Sequence, residues 1–314
     1  MKTLLQYKAS PGFRDLMARL YGGPDAVRII DEADDANFEK EIVDTEILLH
    51  VLKPVTAAVI ARAPRLKLIQ KLGVGVNTID LEAAARAGVA VCNIPGANSQ
   101  AVAEMALSLM LAVLRQTVYF DALVRCGEGW RPDFGPLDRV GEIHGRTVGL
   151  IGFGQSARRL APVLTALGAE VIYTAQSIHP DAVSSYRSLA MLLAQSDIIS
   201  IHAPLTDQTR NLIDANALAR MKSGAILINT ARGELVDEAA LINALRSGRL
   251  RGAGLDVFAQ EPVCATHPLL SEPTVVLAPH VAWLTPETLE RTMILALENC
   301  RRLADGRRLL NQVV

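Results

Sequence analysis

Residues 147–157 read TVGLIGFGQSA. Thr147–Ile151 is a short apolar run of the kind that forms a buried parallel strand. Gly152-Phe153-Gly154-Gln155-Ser156-Ala157 follows at once, as G-x-G-x-x-A. Gly152 permits a tight turn, Gly154 lets the backbone approach a pyrophosphate, and Ala157 is small enough for a helix to pack on the strand. A helical pattern over 157–167 continues from the loop, and its N-terminal amides favour an anion. A glycine-rich turn alone is a weak signal. Here strand, loop, helix and a second strand at 170–173 come in order. They predict a dinucleotide-binding βαβ unit, with Gly152, Gly154, Gln155 and Ser156 at the phosphates.

The same alternation continues on both sides. Further strands are expected at 198–202, 225–229, 252–257 and 274–277, with helical stretches such as 238–245 between them. Six strands with crossovers complete a doubly wound nucleotide-binding domain. An earlier series places strands at 3–5, 27–30, 46–51, 66–72 and 89–92, with helical patterns such as 81–87. Residues 98–119 read as one long helix, with Val102, Met105, Leu109 and Val113 at helical spacing. A last helix is expected over 286–303, returning to the first domain. The fold class is α/β, with two Rossmann-like doubly wound domains.

Three segments after late strands carry candidate chemistry: 228–233 (INTARG), 255–262 (LDVFAQEP) and 277–283 (LAPHVAW). Open α/β sheets bind ligands at the carboxyl ends of their strands. Arg232, Glu261 and His280 are the groups that reduction of a 2-keto acid needs. An arginine fork suits the substrate carboxylate. A histidine donates a proton to the carbonyl oxygen near neutral pH. A carboxylate on its other nitrogen orients the ring and favours its charged form. Singly, each has an ordinary explanation: a surface cation, a solvated loop charge, a structural hydrogen-bonder. Jointly, after successive strands of one domain, they point to a site. The histidines form no metal-ligand pattern, and His202 reads as structural or cofactor-lining.

These residues resemble the D-isomer-specific 2-hydroxyacid dehydrogenase family. The match is densest at 145–154, 196–209 (SDIISIHAPLTDQT), 221–233 (MKSGAILINTARG), 252–262 and 278–285 (APHVAWLT). The resemblance implies Arg232 as substrate clamp, Glu261 as partner of His280, and His280 as acid/base. It implies Asp256, Thr230 and Ala231 near the nicotinamide, and His202, Ala203 and Pro204 along the cofactor. Within 71–77 (KLGVGVN), Val74 and Gly75 are implied as amide donors to the substrate carboxylate. A flavodoxin-like substrate domain, 1–97 with 285–314, would receive an inserted nucleotide domain, 98–284. Hinges would lie near Ala97 and Leu284, with substrate closing the domains. A homodimer is implied, with 116–140 and its Trp130 as the arm. Where the family often has His after the glutamate of its long helix, this chain has Met105, read as packing.

Within the family, a small substrate of the glyoxylate or hydroxypyruvate class is expected, with Trp283 narrowing the pocket. Phosphoglycerate is the main alternative: where many phosphoglycerate-using relatives place an arginine, this chain has His50 and Val51, poorer phosphate ligands, though Lys53 could compensate. Glu261 argues against formate dehydrogenation, whose enzymes carry glutamine there. A non-catalytic dinucleotide sensor is the rival of a different class. The second strand of the unit is followed by Thr174-Ala175-Gln176-Ser177, where NAD-specific domains place a carboxylate. Glu170 is at the strand's wrong end. NADP(H) is therefore favoured, with Gln176, Ser177 and His179 as hydrogen-bonders, and NAD(H) remains open.

Bulk composition sets bounds. Half of the 314 residues are hydrophobic and the net charge is −1, so no basic field attracts nucleic acid or an anionic membrane. Cys92, Cys126, Cys264 and Cys300 have no C-x-x-C spacing and read as free thiols in a reducing, cytoplasmic setting. The apolar stretch 102–114 is broken by Glu104 and is too short to span a membrane.

Overall fold

The computed structural model describes residues 1–23, 26–130, 138–179 and 184–314. The chain forms two compact units, Met1–Asn98 with Leu284–Val314, and Ser99–Trp283.

The first unit holds a parallel sheet of β1 (Thr3–Gln6), β2 (Arg28–Ile30), β3 (Ile47–His50), β4 (Leu68–Lys71) and β5 (Ala90–Cys92), in the order 2-1-3-4-5. That is the flavodoxin-like order. β1 runs one residue past its expected bounds, and the other four begin or end one or two residues inside theirs. Leu4, Leu48, Ile69 and Val91 build a core with Phe38, Ile60 and Ala84 from the helices. Helix Pro286–Ala304 belongs to this unit, where Asn299 donates to Gln70 of β4 at 2.7 Å. Helix Pro11–Tyr21 packs beside it.

The second unit is a seven-stranded parallel sheet in the order 12-11-10-9-6-7-8: β6 (Thr147–Ile151), β7 (Glu170–Thr174), β8 (Ser185–Tyr186), β9 (Ile198–Ile201), β10 (Ala225–Asn229), β11 (Leu250–Leu255) and β12 (Val275–Leu277). The short, exposed β8 was not expected, since two residues carry no periodicity. The sheet is covered on both faces. Leu192, Leu218 and Leu241 pack on one core, and Leu109, Met110 and Leu160 on the other. The expected single helix over 98–119 is two, Ser99–Arg115 and Thr117–Arg125, bent by 62°. Gln116 takes a left-handed backbone (φ +50°) that ends the first helix. Met105 packs against the core, as its apolar side chain favours. Of the expected arm 116–140, residues 131–137 lie outside the described residues, and Trp130 is 85% exposed. No single helix among the described residues is long and apolar enough to cross a membrane.

Candidate active site

Sheet register brings the catalytic candidates together. Asn229 pairs with Leu255, and Leu255 with Leu277, so β10, β11 and β12 end side by side. Arg232, Glu261 and His280 lie in the loops that leave these ends.

Each loop is pinned by a side chain that sequence reasoning did not single out or assigned elsewhere. Asn229, fully buried, accepts from the Ala231 amide at 3.0 Å and donates to the Arg232 carbonyl at 2.9 Å. Arg232 donates to its neighbour Ala231's carbonyl at 2.6 Å. Burial lowers the proton affinity of its guanidinium, and the charges of Glu234 and Glu261 oppose that.

Asp256, which the resemblance implies near the nicotinamide, has no exposed surface. Its carboxylate accepts from the amides of Val281 at 2.8 Å and Ala282 at 2.9 Å, and its carbonyl from the His280 amide at 2.7 Å. Asp256 therefore holds the turn that carries His280. Burial raises its carboxyl against the pull of those amides. The clamp is needed because His280 has a left-handed backbone, φ +56°. Such a conformation costs about 1–3 kcal/mol in a non-glycine residue. Two hydrogen bonds to a carboxylate, at about 1.5–3 kcal/mol each, outweigh it. The Trp283 indole donates to the His280 carbonyl at 3.1 Å, a second brace on the turn.

His280 Nδ1 meets Glu261 Oε2 at 2.6 Å. Glu261 Oε1 accepts from the Phe258 amide at 2.9 Å. Burial alone would raise the Glu261 carboxyl. The His280 and Phe258 hydrogen bonds and the charges of His280 and Arg232 outweigh it and hold the carboxyl below its ordinary range. An ionised carboxylate only accepts, so Nδ1 carries the hydrogen and Nε2 is left to exchange a proton. The 258–261 segment is anchored again by Glu238, which accepts from the Ala259 amide at 2.8 Å and pairs with His267 at 3.3 Å.

The phosphate loop fits a dinucleotide. Gly152 has φ +89°, and a Cβ there would lie 2.7 Å from the His202–Ala203 peptide. Gly154 caps helix Gln155–Ala166 with no side-chain hydrogen bond, no acid lies in the first turn, and a Cβ on Gly154 would meet nothing within 4 Å. Space and uncapped amides thus coincide where a pyrophosphate belongs. Gln155 and Ser156 open that helix. The Thr230 hydroxyl is buried without a protein partner. His202 bonds Ser200 at 2.9 Å, and burial pushes its pKa down to about 4, so it lines this region as a neutral ring beside Pro204. Phe153 stacks on Tyr173 at 4.0 Å, and the Tyr173 hydroxyl accepts from the His179 amide at 2.9 Å. That braces the turn bearing Thr174, Gln176 and Ser177, of which the last two are exposed.

A model of the D-isomer specific 2-hydroxyacid dehydrogenase NAD-binding domain matches residues 107–282. The chain belongs to the D-isomer specific 2-hydroxyacid dehydrogenase family. It is a nicotinamide-dependent oxidoreductase. It is 44% identical over 255 residues to a glyoxylate reductase of Aeropyrum pernix, an alignment that covers 79% of this chain and 76% of that one. It is 39% identical over 292 residues to a D-3-phosphoglycerate dehydrogenase of Mycobacterium leprae, covering 92% of this chain and only 53% of the relative. A solved protein from Thermus thermophilus superposes with a TM-score of 0.89 at 36% identity, over all of both chains.

In this dehydrogenase the first unit presents its own candidate loop after β4. No acceptor among the described residues meets the amides of Val74 and Gly75, while the Val74 carbonyl takes the Asn93 amide nitrogen at 2.9 Å. Lys53, the cation that could compensate at a substrate phosphate, is engaged elsewhere. Lys53 pairs with Asp35 and donates to the Glu32 carbonyl. His50 is buried against the Lys53 carbonyl at 2.7 Å, and burial with the Lys71 charge pushes its pKa down to about 3.

Proposed function

We propose that this dehydrogenase reduces a small, unphosphorylated 2-keto acid of the glyoxylate or hydroxypyruvate class to the D-2-hydroxy acid, with His280 as the acid/base. The observation that carries the reading is the 2.6 Å contact between His280 and an ionised Glu261 that also feels the charge of Arg232. When bound, a nicotinamide dinucleotide supplies or accepts the hydride. Arg232 holds the substrate carboxylate through its planar fork. His280 Nε2 gives its proton to the carbonyl oxygen as that oxygen becomes a hydroxyl, and takes it back in the oxidation. Glu261 stabilises the imidazolium and fixes the ring. Val74 and Gly75 are proposed as further carboxylate donors, and Trp283 as a wall. The commitment of Lys53 and His50 within the fold favours this substrate class over phosphoglycerate.

Turnover with a panel of 2-keto acids, including a phosphorylated one, tests the reading. Turnover confined to phosphohydroxypyruvate overturns the substrate class. Dinucleotide binding without any turnover overturns catalysis in favour of a sensing role.

The proton ledger gives a directional prediction. Reduction needs a protonated His280 and fades as pH rises; oxidation needs the neutral ring and fades as pH falls. The Glu261 carboxyl is held below its ordinary value, so the pair's contribution is complete above that value and is lost as pH falls through the depressed one. The pair is intact at neutral pH. Glu261→Gln removes the neighbouring charge, and reduction is expected to fade at lower pH than in the wild type. A pH–rate profile with an unmoved alkaline limb, where chemistry limits the rate, contradicts the pairing.

NADP(H) is proposed as the preferred cofactor, held at Gly152, Gly154, Gln155, Ser156, Thr174, Gln176 and Ser177. β7 ends in Thr174, the described residues after it, 175–179, hold no carboxylate to repel a 2′-phosphate, and the one acid of the strand, Glu170, opens it. The expected result is a higher kcat/KM with NADPH than with NADH on the same keto acid. A clear NADH preference refutes it.

A homodimer is proposed in addition, through the nucleotide unit. Helix Thr117–Arg125 buries none of its residues and exposes Val118 and Val124. A monomeric mass at working concentration would count against the dimer.

A further inference from the structure

β11 carries a register shift in its pairing with β10: Ala225 faces Leu250 and Ile226 faces Gly252, so Arg251 is the extra residue. Such a bulge re-aims the side chain it carries. Arg251 is turned towards Arg146 and Arg139. A Cβ on Gly141 would lie 2.8 Å from one Arg146 nitrogen and 3.3 Å and 3.5 Å from two of Arg251, so both guanidinium groups crowd one glycine. The Gly141 amide, bonded to the Leu114 carbonyl at 2.9 Å, fixes that loop on helix Ser99–Arg115. The three arginines line an open cavity of about 480 Å³ with Lys222, Asp138 and Asp197.

The charges there do not cancel. Asp197 is taken by Lys222 at 3.0 Å and by the Thr147 amide at 2.8 Å. Glu272, beside Arg251 and Arg139, is taken by Arg246 at 2.6 Å. Among the described residues no carboxylate, Asp138 included, pairs with Arg139, Arg146 or Arg251. Among the described residues the Arg146 side chain makes one hydrogen bond, to the Glu142 carbonyl at 2.6 Å. One terminal nitrogen of Arg251 is buried with no hydrogen-bond partner. Burial first, then the charges of Arg146 and Arg139, lower its guanidinium's hold on the proton. A buried, unmatched donor amid three like charges is unfavourable unless an anion completes it.

We propose that Arg139, Arg146 and Arg251 form a binding site for a small multivalent oxyanion, phosphate being the simplest. Guanidinium forks match the tetrahedral oxygens, and their combined charge more than offsets that of a dianion. The site is separate from the one that handles the keto acid. Arg251 sits near the start of β11 and Asp256 beyond its end, ~17 Å along an extended strand. The same oxyanion chemistry has two sources, a free phosphate or a carboxylate from a second copy of the chain, and we commit to the free ion.

The test is calorimetric titration of inorganic phosphate at constant ionic strength. The protein is held saturated with its dinucleotide, so that the phosphate loop is filled. Saturable binding is expected. Arg251→Met and the exposed-site variant Arg139→Gln should each weaken it roughly tenfold or more, the scale of one lost charge-assisted bond. Keto-acid kcat/KM and dinucleotide affinity should stay as in the wild type. Absence of saturable binding, or equal affinity in both variants, overturns the site. If phosphate does not bind and Arg251→Met instead lowers the solution mass of the assembly, the arginines hold a neighbouring copy's carboxylate and the free-ion proposal falls.

Discussion

Arg232→Lys is expected to lower kcat/KM for the keto acid by ~10²-fold or more, the scale of a lost transition-state donor, while melting temperature and dinucleotide affinity hold. The backbone that presents residue 232 is fixed by Asn229 through two hydrogen bonds, so the substitution leaves the loop in place. What changes is the head group. Arginine has five donors in a plane, which satisfy the Ala231 carbonyl and still offer a fork to a carboxylate. Lysine offers one point charge. Burial lowers the proton affinity of the group at this position, and an ammonium gives up its proton under such pressure far more readily than a guanidinium. Steady-state kinetics beside a thermal melt decide the matter. Wild-type kinetics for Arg232→Lys would take the residue out of the site.

Gly233→Ala is expected to damage both fold and activity. A Cβ there would lie 1.9 Å from the Phe258 carbonyl carbon, 2.1 Å from its oxygen and 2.3 Å from the Ala259 nitrogen. Backbone cannot rotate away as a side-chain tip does, so one loop must move. The peptide that would be struck is the one whose flanking amides bond Glu261 and Glu238. Overpacking of this kind costs about 1–3 kcal/mol. The displaced Phe258 amide would also loosen Glu261 from His280. The expected readout is a lowered melting temperature together with a loss of kcat well beyond tenfold, since small misplacements of catalytic groups cost about 10²-fold. Gly154→Ala, with open space at its Cβ, should melt as the wild type does, and weaken dinucleotide binding instead. Wild-type stability and rate in Gly233→Ala would refute the contact.

Much of this was legible in the chain because the signals are local. An apolar strand, a glycine turn and a helix are set by neighbours in sequence, and Thr147–Ile151 and Ala225–Asn229 form strands over the residues expected. Arg232, Glu261 and His280 are chemical types that stand out wherever they fall. The break at Gln116 was not legible, because the apolar spacing runs on through it while one left-handed residue turns the axis. Asp256 was placed near the nicotinamide only by the family resemblance, and its hold on the His280 turn was not legible. Its two backbone bonds reach residues 25 and 26 positions away, and nothing in the local pattern specifies them.

The sequence by itself determined the two doubly wound units, the phosphate loop and the three side chains suited to keto-acid chemistry, since periodicity and residue type act over a few positions. Only the tertiary structure decided which groups support them. Asn229, Asp256, Glu238 and Gly233 acquire their roles because parallel pairing in the order β10, β11, β12 aligns strand ends far apart in the chain. The same is true of the arginines at the other end of β11, where a bulge and a glycine bring Arg251, Arg146 and Arg139 within reach of one another. Register and close approach are properties of packed backbones, and residues remote in sequence carry no mark of them until the sheet has formed.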